Sequence, residues 1–496
     1  MSNLWKRKSL ESLLSDTSED SHSLRKTLGP LSLIALGIGA IIGAGLFVRT
    51  ANAAAYRAGP SVTLGFILAG VGCAFAGLCY AEFASMIPIA GSAYTYSYAT
   101  MGELMAWIIG WDLVLEYGIG AATVAIAWSE YLNKLLQFTV GWQVPYQWCH
   151  SPLETLKDAS GTVVAHGIMN IPALFIVGVL SLLLIRGMKE SALVNSIIVV
   201  VKVAIVLLII VLGWSFINPA HHTPYIPPAT EVTDNQGVTH AFGGFMGIVG
   251  AAGVVFFAYI GFDAVSTAAQ ETIKPKRDMP IGILGSLAIC TVLYILFAHV
   301  LTGLATVEDF RTHGREASVI FAIENYMPGY GWLAKLVTIA ILGGFSSVIL
   351  VMLMGQSRVF FAMSRDGLVP PIFSDVHPRY RTPWKSNLLF FLFVGAFAAF
   401  LPEDIVGEMT SIGTLFAFVL VCAGVWIMRN REPNAPREFK TPAVPLVPIL
   451  GIAANLLMIY GLGWTNWLRL GVWLVIGLVI YFAYGQHHSK LNQAKR

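Results

Sequence analysis

Long apolar stretches separated by short polar segments make up most of the chain. A transmembrane helix needs about 20 mostly apolar residues, and this pattern gives twelve candidates. We expect helices near residues 31–56, 62–88, 97–133, 169–186, 192–214, 241–272, 280–304, 330–362, 387–401, 405–428, 444–462 and 467–485. The third, sixth and eighth exceed the length needed, so they must tilt, break or project beyond the bilayer. The pattern predicts an all-α integral membrane protein with 12 transmembrane helices.

The composition supports a membrane location. Hydrophobic residues make up 56% of the 496 residues and charged residues only 12%, whereas soluble proteins carry about 25% charged residues. The five cysteines form neither a CxxC pair nor a disulfide-like spacing, and we interpret them as packing residues in the membrane. The composition therefore excludes a water-soluble domain and makes the lipid bilayer the solvent.

The positive charges predict the orientation. With twelve spans, 22 of the 31 Lys and Arg residues fall on the side of the two termini, which the positive-inside rule assigns to the cytoplasm. No signal peptide precedes the first span, so residues 1–29 are expected to form a cytoplasmic tail, as are residues 487–496. We therefore expect a multi-pass protein of the inner (plasma) membrane. The longer external segments 134–168 and 215–240 are predicted to be loops.

Four glycines lie within nine residues in the middle of the first predicted span, between Gly37 and Gly45. Each glycine destabilises a helix by about 1 kcal/mol relative to alanine. Close helix packing is one explanation, but it does not account for Gly43-Ala44-Gly45. This triplet can open the helix so that free backbone N–H groups face an anion such as a carboxylate.

The sixth predicted span carries a similar interruption at Gly261 and Asp263. Spans one and six occupy matching positions if the first ten helices form two halves of five. Unwinding here would free the carbonyls of Phe257, Ala258 and Ile260 for an ammonium group. Donors at one break and acceptors at the other match the zwitterionic head of an α-amino acid.

Four ordered motifs then carry a family resemblance: GIGAIIGAGLF in the first span, WDLVLEYG at 111–118, FFAYIGFDAVSTAAQE at 256–271 and GQSRVFFAMSRDG at 355–367. They resemble the cationic amino acid transporter family of the amino acid-polyamine-organocation superfamily, and its bacterial members most. The resemblance implies a 5+5 inverted-repeat, leucine-transporter-like fold plus two C-terminal helices, and alternating access. The permease domain would cover residues 30–486, with repeats near 31–214 and 241–428 and extra helices near 444–485.

The resemblance also implies a substrate site. Its predicted binding residues are Ile41, Ile42, Ala44, Gly45, Phe257, Ala258, Ile260, Tyr294 and Met352. Phe257 would lie over the substrate, and Tyr294 and Met352 would lie at the margins. Many relatives have Thr or Ser where this chain has Ala44, and so have a side-chain hydroxyl near the substrate carboxylate. We therefore expect backbone N–H groups to bind the carboxylate in this chain. Met352 is either a packing residue or a bulky wall that favours small or neutral side chains.

Lys202 lies in the middle of the fifth predicted span, about 18 Å along the helix from either end. This distance exceeds what a lysine can span by snorkelling. Lys202 therefore either serves only to hold helices together or has a functional role. By resemblance, its ammonium occupies the place where sodium-coupled relatives bind an ion, which makes Lys202 the predicted proton-coupling group.

Four further acidic residues fall in or near the predicted spans. Glu116 and Asp112 share one helix face, and the resemblance suggests that Glu116 couples substrate binding to Lys202, with a purely structural role as the alternative. Asp263 is predicted to cap the half-helix after the second break. Glu271 is predicted to help close the cytoplasmic side, and Gly43 to give the first break its conformation.

These features predict a proton-coupled amino acid symporter. An amino acid or polyamine exchanger remains the alternative within transport, and a membrane amino acid sensor the alternative outside it. The sequence has no GxxxxGK[ST] phosphate loop, no catalytic constellation and no metal-ligand cluster, so we expect neither an enzyme nor a cofactor. Protons and an amino acid are the expected ligands, without nucleic acid. We expect a monomer and leave open a small single-span subunit.

Overall fold

The computed structural model describes residues 4–8, 28–87, 92–157, 162–187, 192–234, 237–263, 265–266, 272–312 and 318–493. Most of these residues are helical. Helices in the first part of the chain are α1 (Pro30–Ile41), α2 (Thr50–Ala53), α3 (Val62–Met86), α4 (Ser92–Thr100), α5 (Glu103–Leu113), α6 (Gly120–Val140), α7 (Ile171–Arg186) and α8 (Ala192–Gly213).

The second part continues in the same way. Its helices are α9 (Gly244–Val255), α10 (Pro275–Leu304), α11 (Val307–Thr312), α12 (Ser318–Tyr326), α13 (Gly331–Arg365), α14 (Trp384–Phe400), α15 (Glu403–Arg431), α16 (Leu446–Gly461), α17 (Trp464–Ile480), α18 (Gln486–His488) and α19 (Lys490–Gln493).

Two small antiparallel hairpins lie in the connections that flank α7 and α9. Strand β1 (Thr155–Lys157) pairs with β2 (Val163–His166), and β3 (Thr230–Thr233) pairs with β4 (Thr239–Phe242). The segments 134–168 and 215–240, which we expected to be loops, therefore contain short strands. Strands this short and polar give little periodic signal.

Local sequence explains where several helices begin and end. Pro30 occupies the first position of α1, where a missing N–H costs nothing. The side chain of Asn170 accepts a 3.1 Å hydrogen bond from Ala173 N and so caps the start of α7. That helix ends at Gly187, which has a φ of 74° and so takes the left-handed conformation that favours glycine.

Seven helical stretches among the described residues are long and apolar enough to cross a membrane: Gly45–Met86, Glu103–Val140, Ser196–Phe216, Pro275–Leu304, Gly331–Arg365, Glu403–Arg431 and Trp464–His488. Five shorter apolar helices accompany them, and the first long stretch turns at Gly59, which has a φ of 55°. The long helices confirm the all-α membrane class. The count of twelve spans stays a prediction.

The interior is one continuous apolar cluster. Helix α1 packs against α8 and α10, α13 packs against α6, and α3 packs against α9 and α10. Large apolar side chains cover the outer faces of α8 and α17, among them Val200, Val211 and Val479. Such outer faces suit contact with lipid, so polar groups in the interior need partners within the protein.

Candidate functional site

The first interruption lies between Ile41 and Gly45. Helix α1 ends at Ile41, and Ile42 has extended backbone angles of φ −72° and ψ 105°. The chain re-enters a helix with wide π-type turns at Gly45–Arg49. The predicted break is thus present, and Ile41, Ile42, Ala44 and Gly45 are all buried beside it.

The second interruption follows α9. A 3₁₀ turn at Phe256–Tyr259 is followed by Ile260 with a ψ of 133° and by Gly261 with a φ of 114°. A positive φ of this kind is readily adopted only by glycine, which explains why glycine occupies position 261. A Cβ atom at Gly261 would also lie 2.9 Å from the carbonyl oxygen of Ala40 in α1. Gly261 therefore allows the second break to approach the first helix.

The two breaks touch each other in the interior. A Cβ atom at Gly45 would lie 2.5 Å from the backbone nitrogen of Ala258 and 2.8 Å from its Cβ atom. Side chains do not fit at such separations, so only glycine permits this contact. The structure therefore brings together the two backbone segments that the sequence predicted to face the substrate.

Tyr294 of α10 joins the two breaks. Its hydroxyl lies 3.0 Å from the carbonyl oxygen of Ile41 and 2.9 Å from that of Ala258. The Phe257 carbonyl accepts a 3.3 Å bond from Ile260 N. Of the carbonyls predicted to accept an ammonium group, those of Phe257 and Ala258 thus already have partners. Tyr294, predicted to lie at the margin of the site, therefore bonds directly to the backbone of both breaks.

Lys202 is buried, with 3% exposure, on the side of α8 that faces α1. Its Nζ donates a 2.7 Å hydrogen bond to the carbonyl oxygen of Gly39. Gly39 lies in the last turn of α1, where the helix dipole carries partial negative charge that attracts a cation. The ammonium therefore contacts the end of the half-helix that leads into the first break.

Glu116 lies in a π-helical turn, Val114–Ile119, between α5 and α6. Single π turns within α-helices occur often at functional sites. The Glu116 carboxyl faces Asp263 and the hydroxyl of Thr414. The next residue, Tyr117, donates a 2.6 Å hydrogen bond to Asp263. Glu116 and Asp263 thus lie together, between the helix pair α5–α6 and the second break.

Asp112 precedes Glu116 by one turn and also faces α15. Its Oδ1 would lie 3.2 Å from a Cβ atom at Gly413 in α15. Within the described residues, neither of its carboxylate oxygens has a hydrogen-bond partner. The carboxyl groups of Asp112 and Glu116 therefore approach neighbouring residues of α15, Gly413 and Thr414.

The predicted wall residues Phe257 and Met352 lie in the turn after α9 and in α13. Phe257 and Met352 are buried, and the Met352 sulfur would lie 3.3 Å from a Cβ atom at Gly120. Val348, one turn before Met352, packs against Gly43, where a Cβ atom would lie 3.3 Å from Val348 Cγ2. The prediction for Glu271 lies outside the described residues.

Sequence reasoning missed a buried cluster of charges near the far end of the first span. Arg49 is fully buried and pairs with Glu403 at 3.1 Å, and Arg57 pairs with Glu408 at 3.2 Å. Glu408 also pairs with Arg469 at 3.3 Å. An arginine inside an apolar span is itself a signal of a functional or paired group, and Arg49 lies in the predicted first span.

Comparison with known proteins identifies the family. Residues 28–482 match the family described as Amino acid permease. A branched-chain amino acid permease of Bacillus subtilis (strain 168) is 42% identical over 99% of both chains. A methylthioribose transporter of the same organism is 39% identical over 99% of this chain and 100% of its own.

A branched-chain amino acid permease of Lactococcus lactis subsp. cremoris (strain MG1363) is 34% identical over 95% of this chain and 97% of its own. The vacuolar cationic amino acid transporter 4 of Arabidopsis thaliana is 29% identical over the whole of this chain. All four relatives are named as permeases or transporters, and none as an enzyme. The chain therefore belongs to the amino acid permease family.

Proposed function

We propose that this permease is a proton-coupled symporter that imports amino acids by alternating access, with the substrate head held between the two breaks. The contact between Gly45 and Ala258 carries the proposal. It joins the start of one half-helix, which offers N–H donors, to the end of another, which offers carbonyl acceptors. An α-amino acid needs both kinds of partner.

The substrate class we propose is neutral amino acids, including those with branched aliphatic side chains. Two relatives are named for branched-chain amino acids. The buried Val348 packs against Gly43 in the first break, and we propose that the buried Met352, one turn further along α13, lines the same site. A long cationic side chain would need a polar partner in their place.

Proton coupling would run through Lys202 and Glu116. The ammonium of Lys202 contacts the negative end of α1 through Gly39, so loss of its proton would weaken a contact that supports the first break. Glu116 and Asp263 lie beside the second break. A proton on Lys202 or Glu116 and a substrate between the breaks would therefore stabilise the same conformation of the two breaks.

The proposal includes the architecture implied by the resemblance. The described helices accommodate twelve spans, with two halves near 31–214 and 241–428 and two further helices near 444–485. The positive charge of the connections favours an inner-membrane location with both termini in the cytoplasm. Glu271 is proposed to help close the cytoplasmic side, and Asp263 to cap the half-helix after the second break.

Uptake into proteoliposomes tests the function. Labelled leucine, alanine and arginine are supplied with and without an inward proton gradient, to wild-type protein and to Lys202→Ala. Labelled methylthioribose is supplied in a parallel assay. We expect the gradient to drive accumulation of leucine and alanine. We expect Lys202→Ala to lose accumulation while exchange of internal for external substrate persists.

Other outcomes identify other functions. Exchange that ignores the gradient in wild-type protein would make the chain an exchanger, with a structural role for Lys202. Binding of leucine without uptake or exchange would identify a sensor. Uptake of labelled methylthioribose without amino acid uptake would assign the substrate class of the second relative instead.

A further inference from the structure

The stem of Lys202 crosses α13 at a glycine. A Cβ atom at Gly344 would lie 2.8 Å from Cε of Lys202, and 3.4 and 3.6 Å from its Cγ and Cδ atoms. The first of these distances is shorter than carbon atoms tolerate without moving. Any side chain at position 344 would therefore displace the last carbon before the ammonium.

The displaced lysine stem would move into the space beside it. A narrow pocket lies beside the lysine and is lined by apolar residues that include Ile205, Ile341 and Phe345. A methyl group at position 344 can be accommodated if the lysine stem shifts into this space. The end of a flexible side chain then moves while the helices keep their packing, which costs less than moving backbone.

The shift would act on the contact with α1. Lys202 Nζ lies 2.7 Å from the carbonyl oxygen of Gly39, and charge-assisted hydrogen bonds weaken steeply when distance and angle depart from the optimum. A displacement of several tenths of an ångström at Cε therefore moves the ammonium away from the first break. The protonated and neutral forms of the lysine would then differ less in their effect on that break.

We propose that Gly344 is a positioning residue for proton coupling: the absence of a side chain at this point holds the Lys202 ammonium against the end of α1. This inference rests on the proposed function of Lys202 and extends it to a residue on another helix. The three atoms nearest to a Cβ atom at position 344 all belong to Lys202, so we expect the effect of this residue to be exerted through the lysine.

The neighbouring glycine provides a matched control. Gly343 lies in the same helix, and a Cβ atom there would meet nothing within 4 Å. Gly343→Ala and Gly344→Ala make the same chemical change with the same gain in helix propensity. Both variants are reconstituted, and leucine accumulation under a proton gradient and leucine exchange without one are measured from pH 5.5 to 8.

We expect Gly344→Ala to reduce gradient-driven accumulation about tenfold relative to exchange, the scale of a lost charge-assisted hydrogen bond. The pH dependence of its accumulation should also shift, whereas Gly343→Ala should follow wild-type protein in both measurements. In a Lys202→Ala background, Gly344→Ala should have no further effect, because the group that it positions is absent.

Three outcomes would overturn the inference. Equal behaviour of the two alanine variants would remove it, and so would a further loss in the Lys202→Ala background. A parallel fall in accumulation and exchange, with an unshifted pH profile, would mean that Gly344 serves helix packing alone. If Lys202→Ala itself retains accumulation, the proposed coupling function fails first, whatever Gly344→Ala does.

Discussion

At the scale of single residues, Tyr294 places one hydroxyl proton between two backbone carbonyls. The oxygens of Ile41 and Ala258 lie 3.0 and 2.9 Å from the hydroxyl, but a tyrosine has only one hydrogen to donate. One of the two carbonyls therefore does not receive the hydroxyl hydrogen at any moment. An ammonium group brings three donors, so a substrate can complete an arrangement that Tyr294 alone leaves incomplete.

Tyr294→Phe removes this bridge and should weaken leucine binding about tenfold, since a buried hydrogen bond contributes about 1 kcal/mol and an unsatisfied buried carbonyl costs about 1–3 kcal/mol. Equilibrium binding of labelled leucine to purified protein measures the change. Tyr481→Phe is the control, because it removes a 2.9 Å hydrogen bond from tyrosine to Glu103 away from the breaks. Equal affinities for the two variants would contradict a binding role for Tyr294.

The sequence singled out Lys202, but it could not identify the partners of this lysine. Its position in the middle of an apolar span is visible in the chain, because a charged residue at that depth is costly. Gly39 and Gly344 are far from it in sequence and become its neighbours only through packing of α8 against α1 and α13. Contacts of this kind need the three-dimensional arrangement.

At the scale of helices and loops, hydropathy predicted the long elements well. The predicted ranges 62–88 and 280–304 correspond to Val62–Met86 and Pro275–Leu304. The third range began at 97, whereas the structure places a separate helix at Ser92–Thr100 and starts the long one at Glu103. Gly102, with a φ of 103°, separates the two, and hydropathy does not detect such a turn.

The loop from Asn218 to Phe242, here called the external loop, covers the ends of α3 and α10. Tyr225 bonds to Thr63 at 2.6 Å, and His222 bonds to Thr302 at 3.2 Å. The ring of His222 packs against that of His299, with 4.5 Å between the centroids. These polar contacts are non-local, so the sequence predicted a loop here but not where it docks.

Protonation of His222 should release this loop in acid. Partial burial, followed by the nearby His299 and His221, holds the pKa of His222 below its ordinary value of 6.5. Those two histidines and Tyr225 are the titratable groups that face it among the described residues, and no carboxylate offsets a positive charge there. A released loop binds a proton more readily, so docking is fully stable above pH 6.5 and weakens as the pH falls below it.

Amide hydrogen exchange across the external loop, corrected for the intrinsic effect of pH, measures this release. Wild-type protein should lose protection between pH 7.5 and 5.5, and His222→Gln should show little change over that range. His166→Gln alters a histidine of the other external hairpin and should behave like wild type. A loop whose protection is the same at both pH values in wild-type protein would refute the prediction.

At the scale of the whole molecule, ion pairs tie the helices together near both ends of the bundle. At one end, Glu82 of α3 accepts bonds from Arg429 at 2.8 Å and Arg437 at 3.0 Å. At the other end, Arg49 pairs with Glu403 at 3.1 Å. Ion pairs at both ends do not indicate the orientation, but the excess of Lys and Arg at the end that carries Glu82 predicts, by the positive-inside rule, that this end faces the cytoplasm.

The termini should therefore lie in the cytoplasm, and a pair of exposed positions tests this. Gln143 follows α6 and Asn434 follows α15, and both side chains are exposed. The five native cysteines are buried, so a cysteine introduced at either position should dominate labelling. In right-side-out vesicles, a membrane-impermeant maleimide should label Gln143→Cys and leave Asn434→Cys unlabelled until detergent is added. Labelling of Asn434→Cys alone would place the termini outside the cell and would contradict the orientation that the positive-inside rule predicts.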